Sequence, residues 1–229
     1  MGQKVHPYGF RLGITKGWLS RWFVPKKLKE YIFQDEQVRK YIKERFRNAM
    51  VSNVVIERAG NNVIVWIHTA RPGMIIGRRG TYIASLEEEL KRLIAPKSDK
   101  DKKNITIKAE IKEINEPNLD AQLVAENLAR QIERRVFYRR AMKRAVSDVM
   151  KAGALGVKIC CKGRLRGAEI ARKEWYMEGR IALQTLRTNI DYAYVPAITR
   201  SGVIGVKVWI NKGESEIGGY VKADKGEIV

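Results

Sequence analysis

The sequence has little of what several classes of protein require. It holds two cysteines, Cys160 and Cys161, and they are adjacent. Neighbours in sequence give neither a disulfide framework nor a zinc spacing, and they fit a reducing compartment. The two histidines, His6 and His68, add no familiar metal-ligand spacing to them. No apolar run approaches the roughly 20 residues that cross a bilayer. The segment Met1-Gly2-Gln3-Lys4-Val5-His6-Pro7 has no apolar stretch of the kind a secretory signal carries. The sequence contains no Gly-x-x-x-x-Gly-Lys-Ser/Thr loop, no Gly-x-Ser-x-Gly elbow and no His-Glu-x-x-His. The expectation is therefore a protein that is not an enzyme and takes no metal and no cofactor. The last shortage is of acid: 25 Asp and Glu stand against 45 Lys and Arg in 229 residues, a net charge of +20.

An excess of that size does not favour a compact chain, because like charges repel. Its usual counterpart is a polyanion, with nucleic acid the first candidate and an anionic membrane surface the second. With 45% apolar residues the chain can still bury a core. Its length allows one large domain or two of about 100 residues each.

Periodicity gives the order of elements. Residues 1–25 mix glycine, proline, basic residues and large aromatics without a period, and read as a basic arm that docks on a partner or straps the chain's own core. Residues 26–50 have helical spacing (Leu28, Tyr31, Ile32, Val38, Ile42, Phe46), with Gln34-Asp35-Glu36 as a bend or break. Two strands, 52–59 and 62–70, meet at the turn Gly60-Asn61. The second is apolar on both faces, which places it centrally, and His68 reads as a half-buried histidine. A short helix, a glycine loop, a longer helix to about residue 94 and a strand over 104–114 complete a first domain, 26–116. After Glu116-Pro117-Asn118 a second domain, 117–214, opens with helix over 119–152, in one segment or two. Strands follow at 155–162, near 181–184, at 189–199 and at 203–212, with a short helix over 168–178. The expected fold class is α+β: a three-stranded sheet with helices on one face, then a two-layer domain on a mixed, mostly antiparallel sheet. Residues 215–229 read as a flexible tail.

Two motifs carry chemistry. Ile76-Gly77-Arg78-Arg79-Gly80 lies between two helices. Glycine at both ends allows a tight backbone turn and close approach of another backbone. Loop amides and the next helix N-terminus then face that gap, which suits phosphate. The bland alternative is a plain helix–helix turn. The elements around the loop favour the KH domain in its type II arrangement, which clamps about four nucleotides with such a loop. The second motif is residues 130–144, with seven basic residues and one acid, Glu133. At 100° per residue, Arg135, Arg139, Arg140, Lys143 and Arg144 share one half of a helix, while Phe137, Tyr138, Ala141, Met142 and Ala145 share the other. A charged face is usually only solvated. This one has nearly a single sign and is rich in arginine, which grips phosphate with two donors at once. Lys4, His6, Arg11, Arg164, Arg166 and Arg172 are further candidates for contact with RNA or a neighbouring protein.

From end to end, the chain resembles the bacterial-type small-subunit ribosomal protein S-three family. The likeness rests on Met1–Pro7 with Gly9-Phe10-Arg11-Leu12-Gly13-Ile14, on His68–Gly73 and the Gly77–Gly80 loop, and on Glu133-Arg134-Arg135 and Arg139–Val146. It continues through Thr185-Leu186-Arg187, Ile190-Asp191-Tyr192 and Gly202–Ile210. It implies a structural, RNA-binding constituent of the head of the small ribosomal subunit, in the cytoplasm or in an organelle. The implied partners are ribosomal RNA, messenger RNA and neighbouring ribosomal proteins, with no membrane. In the family, residues matching Arg139, Arg140 and Lys143 face incoming messenger and help open paired RNA. Arg166 departs from the pattern, standing where the family has a glycine. So do Gln184 (a family histidine), Ser201 (a family tyrosine) and a lysine-rich insertion at 96–103. The competing reading is a free-standing KH-domain regulator, which would call for another RNA-binding module beyond residue 119.

Overall fold

The computed structural model describes residues 4–24, 28–77, 80–94 and 106–214. The flexible-tail and lysine-rich-insertion expectations, and Arg78 and Arg79, lie outside those residues. The chain divides into two compact units. One is Trp18–Asn115, and the other joins Met1–Gly17 to Glu116–Val229. The segment read as one basic arm is therefore shared between them. Its start, with the one-turn helix α1 (Pro7–Phe10), packs on the C-terminal unit, and its end supplies strand β1 (Ser20–Arg21) to the other.

The Trp18–Asn115 unit runs β1, α2 (Leu28–Arg45), β2 (Val51–Ala59), β3 (Asn62–Thr69), α3 (Gly73–Ile76), α4 (Thr81–Ile94) and β4 (Thr106–Glu113). Its sheet has the order β1-β2-β3-β4, with β2 and β3 an antiparallel hairpin and β3 and β4 parallel. The third strand is thus central, as its two apolar faces suggest. A fourth, two-residue strand, β1, pairs parallel to β2 beyond the three expected. Val63, Val65 and Ile67 alternate into the core, where they meet Val38 and Ile42 of α2 and Leu86, Leu90 and Ile94 of α4. Four-residue spacing puts each helical set on one stripe. Leu90 has no exposed surface, and its truncation to alanine should cost about 2–5 kcal/mol. Helix α2 runs unbroken through Gln34-Asp35-Glu36, against the expected bend. Asp35 is buried and holds Arg58 in an ion pair at 2.5 Å. It also accepts hydrogen bonds from the Ser20 hydroxyl at 2.7 Å and Trp22 Nε1 at 2.8 Å. A charge with that many partners tolerates burial, so the acidic triplet marks a tertiary clasp and not a helix end.

The other unit packs two helices, α5 (Ala121–Glu133) and α6 (Tyr138–Lys151), on one face of a sheet of β5 (Gly156–Gly163), β6 (Arg172–Gly179), β7 (Thr188–Thr199) and β8 (Gly202–Glu214). The strand order is β6-β5-β8-β7 and every pairing is antiparallel. The mixed sheet belongs to the first unit instead. Asp120 caps α5 by accepting from Leu123 N at 3.0 Å. Leu128, Ile132, Met142 and Val146 then meet Val157, Ile159, Val206, Val208 and Ile210 across the layer. Two expectations need correction. The helix over 168–178 is strand β6, because Trp175 and Met177 alternate with Glu174 and Tyr176 and pair along β5. No strand forms over 181–184, where carbonyls face inward to a buried guanidinium described below. Over 119–152 the helix forms as two segments: Arg135 adopts φ of 63°, a left-handed turn between α5 and α6.

The face of this sheet away from the helices has its own pattern. Register aligns Met177, Lys158, Trp209 and Tyr192 in one row and Trp175, Cys160, Lys207 and Tyr194 in the next. Lys173 and Lys162 follow, opposite Gly205 and Pro196.

Candidate nucleic-acid interface

The glycine loop follows α3, whose Ile75 is fully buried while Met74 and Ile76 are partly exposed. One buried isoleucine pins α3 and so places Gly77 at its end. Gly77 ends α3 with φ of 69°. A β-carbon there would collide with the ring of Tyr82, so both backbone angle and space demand glycine. Gly80 has φ of 75° and open space where a side chain would be. The two glycines thus differ: Gly77 is required by packing, while Gly80 is required by its angle and leaves a bare approach to the N-terminus of α4. Beside the loop lies an open hollow of about 240 Å³ lined by Arg45, Phe46, Asn48, Ala49, Met74 and Tyr82. An aromatic and an apolar wall next to an arginine and the first turn of a helix can hold a base and its phosphate together.

On α6 the exposed side carries Arg139, Arg140, Lys143 and Arg144, while Ala141, Met142 and Val146 are buried. The four cationic residues line one open groove of about 560 Å³ with Phe137 and Tyr176. Arg135, placed on the same ridge by its helical angle, is not part of the helix, because the left-handed turn re-sets the phase before Tyr138. The cations also differ from one another. Arg139 donates from Nε and one terminal nitrogen to the two oxygens of Glu174, each at 2.9 Å. The Tyr138 hydroxyl donates to the same carboxylate at 2.6 Å. These bonds hold Glu174 at a pKa of about 2, and the same carboxylate raises that of Arg139. Arg144 makes a looser pair with Asp148 at 3.8 Å, and Lys143 stands 5.7 Å from the centre of the Tyr176 ring. Arg139 is therefore an oriented, half-neutralised anchor beside more open charges. Glu174 and Tyr176 escaped the sequence reading, since they meet α6 only because residues 172–179 form a strand, and Phe137 and Tyr138, read as part of the packed face, also border the site.

The remaining candidates separate. Arg11 has no exposed surface. Its Nε donates to the carbonyl of Thr188 at 2.8 Å, and its terminal nitrogens donate to those of Pro7, Ala182, Leu183 and Thr185 at 2.8–3.2 Å. An arginine with its donors so engaged is a structural knot and has nothing left for RNA. His6 caps α1 through Nδ1 and lays its ring edge-on to Tyr192 at 4.8 Å. Lys4, Arg164, Arg166 and Arg172 are exposed. Arg164 donates to the carbonyls of Ala168 and Ser201. Arg166 holds φ of 59°, an angle that favours glycine, with its guanidinium 4.9 Å from the centre of the Phe137 ring.

Residues 37–119 match the KH domain family, and residues 128–210 match the family described as ribosomal protein S3, C-terminal domain. The small ribosomal subunit protein uS3 of Maridesulfovibrio salexigens is 56% identical over 214 residues, which cover 93% of this chain and 96% of that one. The protein of the same name from Carboxydothermus hydrogenoformans is 55% identical over 215 residues, covering 93% of each chain. The chain belongs to the uS3 family. The uS3 family is one of structural proteins, not of enzymes. A likeness to uS3 proteins over 93% of the chain reaches well past the KH match, unlike that expected of a free-standing KH regulator.

Proposed function

We propose that this chain is a structural, RNA-binding constituent of the small ribosomal subunit, working at the ribosome, and that the α6 groove holds messenger RNA as it enters. The subunit role rests on the near full-length likeness to proteins named for it. The groove carries the messenger role: Arg140, Lys143 and Arg144 occupy adjacent turns beside the clamped Arg139. An array of this kind contacts backbone phosphates and no base edges. It can hold a strand that keeps moving, because no sequence-specific contact breaks at each step. Holding single strands as a duplex opens transiently biases opening without nucleotide hydrolysis. The glycine loop, with the N-terminus of α4 and the hollow beside it, supplies a separate clamp for a short unpaired RNA, with ribosomal RNA its partner.

The test is translation by ribosomes carrying Arg140→Ala, Lys143→Ala and Arg144→Ala together. These leave the Arg139–Glu174 pair intact. Subunit assembly should be nearly normal, and translation through a stable messenger hairpin should slow far more than through unstructured messenger. Equal slowing on both templates would show that the groove is not a messenger contact. Failure of the variant to enter subunits would show it to be a ribosomal-RNA anchor.

A further inference from the structure

The sheet face of the C-terminal unit turned away from its helices takes no part in the α6 groove. Four aromatic residues stand on it, Trp175, Trp209, Tyr192 and Tyr194, with lysines between them. Lys158 reaches the ring of Trp175 at 5.0 Å and that of Trp209 at 5.7 Å. Lys207 lies 5.7 Å from the ring of Tyr194, and the Tyr192 and Trp209 rings touch at 5.3 Å between centres. Trp175 and Tyr194 are more than half exposed. Across the three successive rows there are four lysines and no Asp or Glu. Lys4, from the N-terminal segment, bears electrostatically on Lys158. Flat aromatic surfaces at intervals with cations between them match unpaired nucleotides, whose bases stack and whose phosphates lie alongside.

We propose that this face binds an unpaired segment of ribosomal RNA, by stacking bases on Tyr192, Tyr194, Trp209 and Trp175 while Lys158 and Lys207 meet the phosphates. Messenger held on α6 lies across the thickness of the sheet and is a different strand. The proposal rests on the ribosomal reading above and gives the RNA a second, base-stacking surface.

The experiment irradiates the purified full-length chain with an octamer of 4-thiouridine and maps the adducts by mass spectrometry. Adducts should fall on β7 and β8 at the outward residues, in addition to any on the loop or α6. Those outward adducts should disappear in Trp175→Ala with Tyr194→Ala, two exposed positions whose loss leaves the core intact. Unmodified octauridylate should compete for them at least tenfold better than an abasic ribose-phosphate oligomer of equal length, because stacking contributes about a factor of ten per base. Adducts confined to the loop and α6, or equal competition by the abasic oligomer, would overturn the proposal. In assembled subunits, a photo-crosslinking amino acid at Tyr194 should join ribosomal RNA, and a protein adduct there would equally overturn it. Failure of the unsubstituted chain to enter subunits would instead sink the ribosomal reading, while leaving the octamer result standing.

Discussion

Arg11 and Arg140 lie in one compact unit and carry the same charge, yet their surroundings are opposite. The first is sealed beneath the 182–188 segment, with donors directed at backbone carbonyls. The second stands in an open groove with three other cations. A net charge of +20 is thus not a uniform RNA-binding coat. Part of it holds the chain to itself, part of it is steered by acids such as Glu174, and part of it stands open in the α6 groove.

The largest expected effect comes from erasing the buried member of the comparison. Arg11→Ala removes a donor from five carbonyls, of which those of Ala182 and Thr185 still accept a backbone N–H, and each buried group left unsatisfied costs about 1–3 kcal/mol before relaxation. A loss of about 3–5 kcal/mol in urea unfolding is expected. A loss below about 1 kcal/mol would break the comparison, because it would make the knot incidental. Neutralising Arg140, Lys143 and Arg144 together should do the reverse. Unfolding should be unchanged, while the log–log salt dependence of single-stranded RNA binding flattens by about 2, at about 0.7 per lost phosphate contact.

Glu174→Gln sharpens the middle case. Releasing Arg139 should steepen that salt dependence by up to about 0.7, one added phosphate contact. The Glu174 pKa is lowered to about 2 from 4.5, so its contribution to stability is present above the unfolded value and lost as pH falls through the folded one. Acid unfolding between those two values should therefore be steeper for the wild type than for the glutamine variant, and identical profiles would remove the clamp. The smallest effect is expected of Arg166→Gly. Relief of a left-handed backbone angle gains about 1 kcal/mol, and loss of the contact with Phe137 returns about 0.5–1 kcal/mol. Urea midpoints that differ widely would show that one of these two effects is absent.

Much of this was legible before the structure. The glycine loop, the order of elements around it and the apolar stripes of α2 and α4 depend on local periodicity, which a sequence displays. Partnership was not legible. The Asp35 triplet looks like a helix break because nothing local shows Arg58 arriving from β2. Residues 168–178 read as an amphipathic helix after a basic turn, and only pairing with β5 makes 172–179 a strand. Arg11 looks like every other exposed arginine until residues 182–188 fold over it. Arg135 was assigned to the ridge by extending a helical angle through a turn that resets it.

The knot around Arg11 joins residues up to 177 positions apart, and this bears on the order in which the protein can form on the ribosome that makes it. The Trp18–Asn115 unit is continuous in sequence and can close as it emerges. The other unit cannot, because its first residues leave the exit tunnel before most of the chain exists and must wait for Thr188 to be made. Throughout that interval a basic segment, unfolded and unmated, remains available to anionic surfaces nearby. Completing the unit withdraws it, so a nascent chain stalled before residue 182 should grip RNA through its N-terminus in a way the finished protein no longer does.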